Sequence, residues 1–473
     1  MGLQKGRIFL LSAIIASFFP KLAFAHAGSR GHVLLLPTQL YIAGGAAVVA
    51  LTFAVMVFVV RKPLAVQYQI SQNYENEAKP NYWLSFLSLL TLLLLIWIGF
   101  TGNRDPIQNL LPLTVWVFWW IGFTMLTALF GNFWAVISPW PILQKLVSLI
   151  IGVQTGRKRS FEKAERWSYW PAVILFFGFA WLELVHPSPM DPETLAGFIS
   201  LYVLLTTLGI IIFGGEFWLK NGEPFSVFFR MVGWLSPFYL KRSVAQKRLV
   251  SIRIRWPCGG LLRSDSLPSG GIAFVLLVLS TVSFDGLLKT FWWLSLVEKN
   301  PLEFPGRTEM ILPNTIGLGI TFLVFFSAFY AVQRLALWLN PEVQQTSSFI
   351  YSMIPIAFGY HFAHYLPTFI VDIQYAFIAL SDPFGIGWNL LGTADWVVSS
   401  SYLMNYDSAI LIWYLQVLGI VLAHVGAVVV FHLIQLYQGR NLKKILMGQL
   451  PATVLMIGYT VFGLWLLSTP VAG

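Results

Sequence analysis

Long apolar stretches, each about the length of a membrane-spanning helix, recur along almost the whole chain and alternate with shorter polar segments. An apolar run of roughly 18 or more residues predicts a transmembrane helix. The predicted fold class is therefore all-α, a polytopic transmembrane helical bundle with about ten spans. We place these spans near Leu40–Val60, Trp83–Phe100, Leu113–Val136, Tyr169–Val185, Leu195–Trp218, Gly271–Leu287, Asn314–Leu339, Ser348–Leu380, Ala409–Leu436 and Leu450–Leu467.

The first 25 residues follow the pattern of a secretory signal peptide. A basic start precedes an apolar core and a small-residue cleavage site, AFA, which ends at Ala25. The alternative is an uncleaved anchor helix, for which the apolar run is short. The predicted organisation is a signal peptide at residues 1–25 and a single integral membrane domain at residues 26–473.

Composition and charge support a membrane protein and indicate its orientation. Charged residues make up 11% of the chain, whereas soluble domains have roughly a quarter. The net charge of +10 does not indicate nucleic-acid binding, because the basic residues cluster in particular loops. With the mature N-terminus outside, 21 Lys and Arg residues fall in cytoplasmic loops and five in outer loops, as the positive-inside rule requires. We therefore expect both termini to lie outside the cytoplasm.

Four of the seven histidines lie in two neighbouring predicted spans. His361 and His364, in the segment GYHFAHYLP, are three residues apart and so lie on one helix face. His424 lies in the next span at a similar predicted depth. Three imidazoles at one depth predict a divalent metal site, with zinc as the first choice and an open coordination position.

Other interpretations of the histidines stay open. A buried histidine is often a hydrogen-bonded core residue, and facing histidines can also bind haem or relay protons in a redox protein or transporter. A freed N-terminal His26, followed by His32, offers nitrogen ligands that suit copper, or belongs to a flexible tail. The single cysteine, Cys258, excludes an intrachain disulfide and a cysteine-rich metal cluster.

Three carboxylates at or within the spans are candidates for acid–base chemistry. Asp372 follows His361 by eleven residues, which places both on the same side of a helix. Asp285 ends one predicted span, and Glu183 lies near the outer end of another. Each is a candidate for orienting a metal ligand or accepting a proton from water. For Glu183 and Asp285 the alternative is solvation of a helix end.

The segment from Ser381 to Ser408 contains no Lys or Arg and is rich in Gly, Trp, Asn and Asp. It follows directly from the span that carries His361 and His364. A long ordered loop beside a candidate site predicts a lid.

Several segments, in order along nearly the whole chain, resemble a family of polytopic bacterial membrane proteins known as fenitrothion hydrolases. These segments are HAGSRGHVLLLPT, LFGNFWAVISPWP, FAWLELVHPS, STVSFDGL, GYHFAHYLP, SDPFGIGWNLLGTADW and WYLQVLGIVLAHVGAVVVFH. The resemblance implies hydrolysis of organophosphorus triesters, with release of a phenol from a dialkyl thiophosphate. It implies no particular catalytic residues.

The resemblance and the histidine pattern fit one mechanism. A metal ion can activate water and polarise the P=O or P=S bond of a triester. Apolar aryl triesters partition into bilayers, so a site within the membrane could take its substrate from lipid. The alternative function is a histidine-dependent redox protein, with haem or copper, or a transporter.

The charge bias leads to a test of orientation. An alkaline phosphatase fused to the C-terminus should be active, because this enzyme folds outside the cytoplasm, and a fluorescent-protein fusion at the same position should be dark. The opposite pair of results would show that the predicted orientation is wrong.

Overall fold

A computed structural model describes residues 38–60, 80–151, 167–242, 250–263, 265–300, 306–340, 346–437 and 442–469. The predicted signal peptide at residues 1–25, His26 and His32 lie outside the described residues, so those predictions remain untested.

The described residues are mostly helical, as the apolar pattern predicts. The helices are α1 Thr38–Val59, α2 Tyr82–Thr101, α3 Leu110–Phe130, α4 Trp134–Ile137, α5 Trp140–Ile151, α6 Trp170–Leu184, α7 Pro192–Phe213, α8 Gly215–Phe217, α9 Pro224–Gly233, α10 Ser269–Leu287, α11 Phe291–Leu296, α12 Ile311–Leu339, α13 Thr346–Ser381, α14 Ser401–Met404, α15 Tyr406–Tyr437 and α16 Leu442–Ser468. A π-helical turn, Trp218–Gly222, follows α8, and a 3-10 turn spans Gly259–Leu261. One antiparallel hairpin pairs β1, Phe238–Arg242, with β2, Val250–Ile254.

Eight of these helices are long and apolar enough to cross a membrane: α1, α2, α3, α7, α10, α12, α15 and α16. The chain is therefore a helical membrane protein. The other two predicted spans are also helices. One is the 15-residue α6, and the other is the 36-residue α13, which contains Pro355 and Pro367 within a continuous helix.

Helix α10 lies at the centre of the packing. All residues from Gly270 to Phe284 except Val278 are buried, so nearly every side of the helix is covered. This is typical of a helix enclosed by other helices. Its neighbours include α6, α12 and α13. Asp285 comes directly after this buried stretch, so α10 carries a carboxylate into the interior of the bundle.

Helices α13 and α15 form the largest interface between two helices in the described part of the chain. Gly359 on α13 lies against Gly419 and Ala423 on α15, and an added Cβ at Gly359 would overlap Ala423. Small residues allow this close approach of two backbones, a common device in membrane proteins. The contact lies within one turn of His361 and fixes the part of α13 that carries the histidines.

Helix α3 departs from regular α-helical geometry. Its residues Leu113–Phe123 form a π-helix, in which hydrogen bonds join residues five apart. This segment buries Trp116 and Trp120. Such segments are rare and are frequent at functional sites. Nothing in the apolar pattern predicts this one.

The packing of α16 against α13 leads to a stability test. A methyl group at Gly463 would overlap the hydroxyl of Tyr360, which donates a 2.8 Å hydrogen bond to the carbonyl of Tyr459. Gly463→Ala should therefore destabilise the protein by about 1–3 kcal/mol, the usual cost of overpacking. Thermal unfolding of the purified protein in detergent measures the effect.

Gly458, on the same helix, is the matched control, because an added Cβ there meets no atom within 4 Å. Gly458→Ala should be neutral or slightly stabilising, since alanine favours a helix. Equal effects of the two substitutions would contradict the packing of Tyr360 against α16.

Candidate functional site

Three helices bring ionisable side chains together inside the bundle. Glu183 is the next-to-last residue of α6, and Asp285 lies in the last turn of α10. His361, His364 and Tyr365 project from the middle of α13. Apolar segments surround all of them, so each polar group needs a partner.

His364 and Asp285 form a hydrogen-bonded pair, which is an ion pair when the imidazole is protonated. The distance from His364 Nε2 to Asp285 Oδ2 is 2.8 Å. The His364 side chain is 36% exposed, whereas that of Asp285 is 13% exposed. A carboxylate in this position fixes the tautomer and orientation of an imidazole. Asp285 therefore fixes the orientation of His364, while part of the His364 side chain remains accessible.

Tyr365 joins the two carboxyl groups. Its hydroxyl lies 2.7 Å from Glu183 Oε1 and 2.8 Å from Asp285 Oδ2. The indole nitrogen of Trp120 donates a further 2.8 Å hydrogen bond to Glu183 Oε1. A tyrosine hydroxyl carries one hydrogen, so it either divides that hydrogen between two carboxylates or accepts a hydrogen bond from one protonated carboxyl group while it donates to the other. Glu183 and Asp285 therefore act as one hydrogen-bonded unit with His364.

Arg307 closes the end of α6. Its NH2 group donates to the carbonyl of Glu183 at 2.6 Å, and its Nε donates to the carbonyl of His186 at 3.0 Å. These bonds satisfy carbonyl groups that lack helical partners at a C-terminus. Partial burial lowers the pKa of Arg307, and the nearby Asp285 and Glu183 oppose this shift. An arginine stays protonated even so, and it places a positive charge beside the two carboxyl groups.

A cavity of about 40 Å³ lies against this network, enough for about two or three water molecules. Its polar lining includes Glu183, Asp285, Tyr365 and His361, and most of its remaining lining is apolar. The His361 side chain is buried, and its Nε2 has no hydrogen-bond partner among the described residues. Its ring packs edge-on against Trp120, with the ring centroids 4.9 Å apart. An unpaired nitrogen beside a cavity of this size suits a bound water molecule.

His424 lies in a different environment. It is fully buried, its Nδ1 lies 2.8 Å from the carbonyl of Ile420, and its ring lies beside those of Tyr360 and Tyr459. His424 does not line the cavity or join the ion pair. Among the residues that the structure describes, no group of three or more His, Cys, Asp or Glu is placed to hold a metal ion. The zinc site at His361, His364 and His424 remains a prediction.

Of the three predicted carboxylates, the structure brings together Asp285 and Glu183 but not Asp372. Asp372 lies eight residues beyond His364 on α13 and is half-buried. In the described part of the chain, no hydrogen bond or ion pair joins it to Glu183, Asp285 or His364.

Three residues of the network were not predicted: Trp120, Tyr365 and Arg307. Tyr365 directly follows His364, which is a weak signal, and Arg307 is one of few basic residues in the predicted outer loops. Trp120 lies in the π-helical segment and gave no signal of its position.

Comparison of the chain with protein-family models, with curated proteins and with solved structures finds no match. The resemblance to the fenitrothion hydrolases therefore rests on the quoted segments alone.

Elemental analysis tests the predicted metal site. If the prediction holds, protein purified without chelators should contain about one equivalent of zinc or another divalent ion per chain. His361→Ala, His364→Ala and His424→Ala should each lower this content, since these are the predicted ligands. His361 and His424 also have a buried Nε2 without a hydrogen-bond partner among the described residues. His186→Ala is the control, since His186 Nδ1 accepts a hydrogen bond from the backbone of Ser188 near the end of α6. A metal-free preparation that retains its activity would exclude a metal mechanism.

Proposed function

We propose that this protein is a membrane-embedded hydrolase of apolar organophosphorus triesters, which releases a phenol from a dialkyl phosphate or thiophosphate. The observation that carries the proposal is the 2.8 Å pair of His364 and Asp285, with the imidazole partly accessible. The resemblance to the fenitrothion hydrolases supports the substrate class. We further propose a bacterial inner-membrane location, with the network facing the periplasmic side.

Hydrolysis of a triester needs a base that takes a proton from water. When the imidazole is neutral and its Nε2 donates to Asp285, its lone pair lies on Nδ1. His364 then acts as the general base, and the Asp285 carboxylate stabilises the imidazolium that forms. Catalysis by a positioned base contributes typically about 10²–10⁴-fold.

Water in the cavity would lie against Asp285 and Tyr365, which belong both to the network and to the cavity wall. His364 is not part of the cavity lining, so the water that it activates binds on its accessible side. At about 40 Å³ the cavity is too small for an aryl triester, because ligand pockets are commonly ~300–1,000 Å³. In this proposal the substrate therefore binds on the accessible side of His364 and leaves the cavity to water.

Arg307 supplies positive charge near the same groups. Attack on phosphorus moves negative charge onto the phosphoryl or thiophosphoryl group, and a fixed cation lowers the energy of that state. The bonds from Arg307 to the carbonyls of Glu183 and His186 hold its side chain in place before the substrate arrives.

A metal ion is a second source of activation in this proposal. Zinc, if held by the predicted ligands His361, His364 and His424, would supply an activated water and polarise the P=O or P=S bond, although the described residues do not bring these three histidines together. The roles of Asp285 and His364 do not depend on it, because they rest on the ion pair alone.

A proton-linked transporter is the alternative function, and the shared hydrogen of Tyr365 favours it. Chains of Asp, Glu and His inside a membrane often mark proton relays. A transporter should move its substrate across a liposome membrane without releasing a phenol, so product analysis separates the two functions.

The decisive experiment follows the release of a nitrophenol from a nitrophenyl dialkyl phosphate by purified protein in nanodiscs. Asp285→Asn should reduce turnover by about 10²–10⁴-fold, because His364 loses the carboxylate that orients it and stabilises its charge. His364→Gln should cause a comparable loss.

Asp372→Asn is the matched control, since Asp372 lies on the same helix as His364 but outside the network, and it should retain most of the activity. A large loss in Asp372→Asn together with normal turnover in Asp285→Asn would refute the role of the ion pair and favour the base predicted from the sequence.

A further inference from the structure

The loop between α13 and α15, residues 382–405, exposes an unusual number of large apolar side chains. Val397 is 90% exposed and Met404 is 74% exposed. Others that are at least 43% exposed are Ile386, Trp388, Leu390, Leu391, Trp396 and Tyr402. Single exposed apolar residues are ordinary, but their concentration in one loop indicates an interaction surface.

The loop is held firmly on the bundle. Thr393 donates a 2.7 Å hydrogen bond to the carbonyl of Phe377, and Gln374 makes two hydrogen bonds with the backbone of Ser399. The apolar side chains therefore point outward from a fixed backbone.

Backbone groups at the tip of the loop also find partners within it. The amides of Ile386 and Gly387 donate to the carboxylate of Asp382, and those of Leu390 and Leu391 donate to Ser381. Irregular backbone can lie within a bilayer only if its polar groups are satisfied inside the protein. These bonds meet that requirement for part of the loop.

Ring contacts place the loop level with the end of a spanning helix. Phe384 packs edge-on against Trp97, at 5.8 Å between ring centroids, and Trp97 lies one turn before the end of α2. Trp97 is itself 54% exposed, as is expected of a residue that faces lipid. The apolar surface of the loop thus continues the exposed apolar surface of α2.

The charge of the segment argues against a preference for anionic lipid. The segment from Ser381 to Ser408 contains no Lys or Arg, whereas Asp382, Asp395 and Asp407 carry negative charge. Anionic lipids attract basic segments, so this segment gains nothing from them. Its Trp and Tyr side chains suit the headgroup region of a bilayer, where they need no anionic lipid.

We propose that the 382–405 loop is embedded in the interfacial region of the bilayer and binds zwitterionic phospholipid through its outward apolar side chains. The loop would then be a fixed membrane anchor beside the bundle. This inference does not depend on the proposed hydrolase activity.

Nitroxide labels measure the depth of the loop. Val397→Cys and Leu390→Cys are labelled in separate proteins and placed in phosphatidylcholine nanodiscs, and collisions with oxygen and with a water-soluble nickel chelate are compared. The native Cys258 can remain, because burial raises the pKa of its thiol to about 11 and keeps it protonated near pH 7. Unsubstituted protein treated with the label provides the blank.

Leu418→Cys, on an exposed part of α15, is the lipid-side control, and Ser188→Cys, in the exposed turn after α6, is the water-side control. Labels at positions 397 and 390 should show oxygen and nickel accessibilities between those of position 418, deep in the spanning helix, and those of position 188, and a larger fraction of anionic lipid should not shift them toward position 418. Nickel accessibility equal to that of position 188 would overturn the proposal and leave the patch to a soluble partner or a moving lid.

Discussion

The cost of placing ionisable groups inside an apolar bundle governs this structure. A charged side chain at the centre of a bilayer costs roughly 2.5–3.5 kcal/mol even by the lower estimates. Glu183, Asp285 and His364 lower this cost by sharing hydrogen bonds through Tyr365 and Trp120. Removal of one partner leaves another group unpaired, so we expect the effects of substitutions within the network to be non-additive.

Different helices position the individual residues of this network. The buried helix α10 gives Asp285 a fixed position, and the close packing of α13 on α15 fixes the histidine-bearing turn. Helix α6 ends at the network, where Arg307 satisfies its carbonyls. The accessible part of His364 is thus surrounded by rigid elements, which is the arrangement that general-base chemistry requires.

Much of the fold could be predicted from the sequence, because length and apolarity define membrane helices without knowledge of their partners. The ionisable residues of the site could be named for the same reason, since His364, Asp285 and Glu183 stand out in apolar surroundings. Their pairing could not be predicted. Asp372 shares a helix face with His361 by simple spacing, yet the network uses Asp285 from another helix. Choosing between them requires the rotation and depth of each helix, which come from packing.

The π-helical segment of α3 should make this helix tolerant of the deletion of a residue. A π-helix holds more residues per turn than an α-helix, so deletion of one residue from Leu113–Phe123 could restore regular geometry while both ends of α3 stayed in place. Such a deletion would leave a stable span but turn Trp120 away from Glu183. The tightly enclosed α10 should not tolerate the insertion or deletion of a residue. A one-residue shift would move its buried side chains out of register with three neighbouring helices. Changes of chain length within α3 are therefore a route by which related chains could keep the bundle and vary the surroundings of the carboxyl pair.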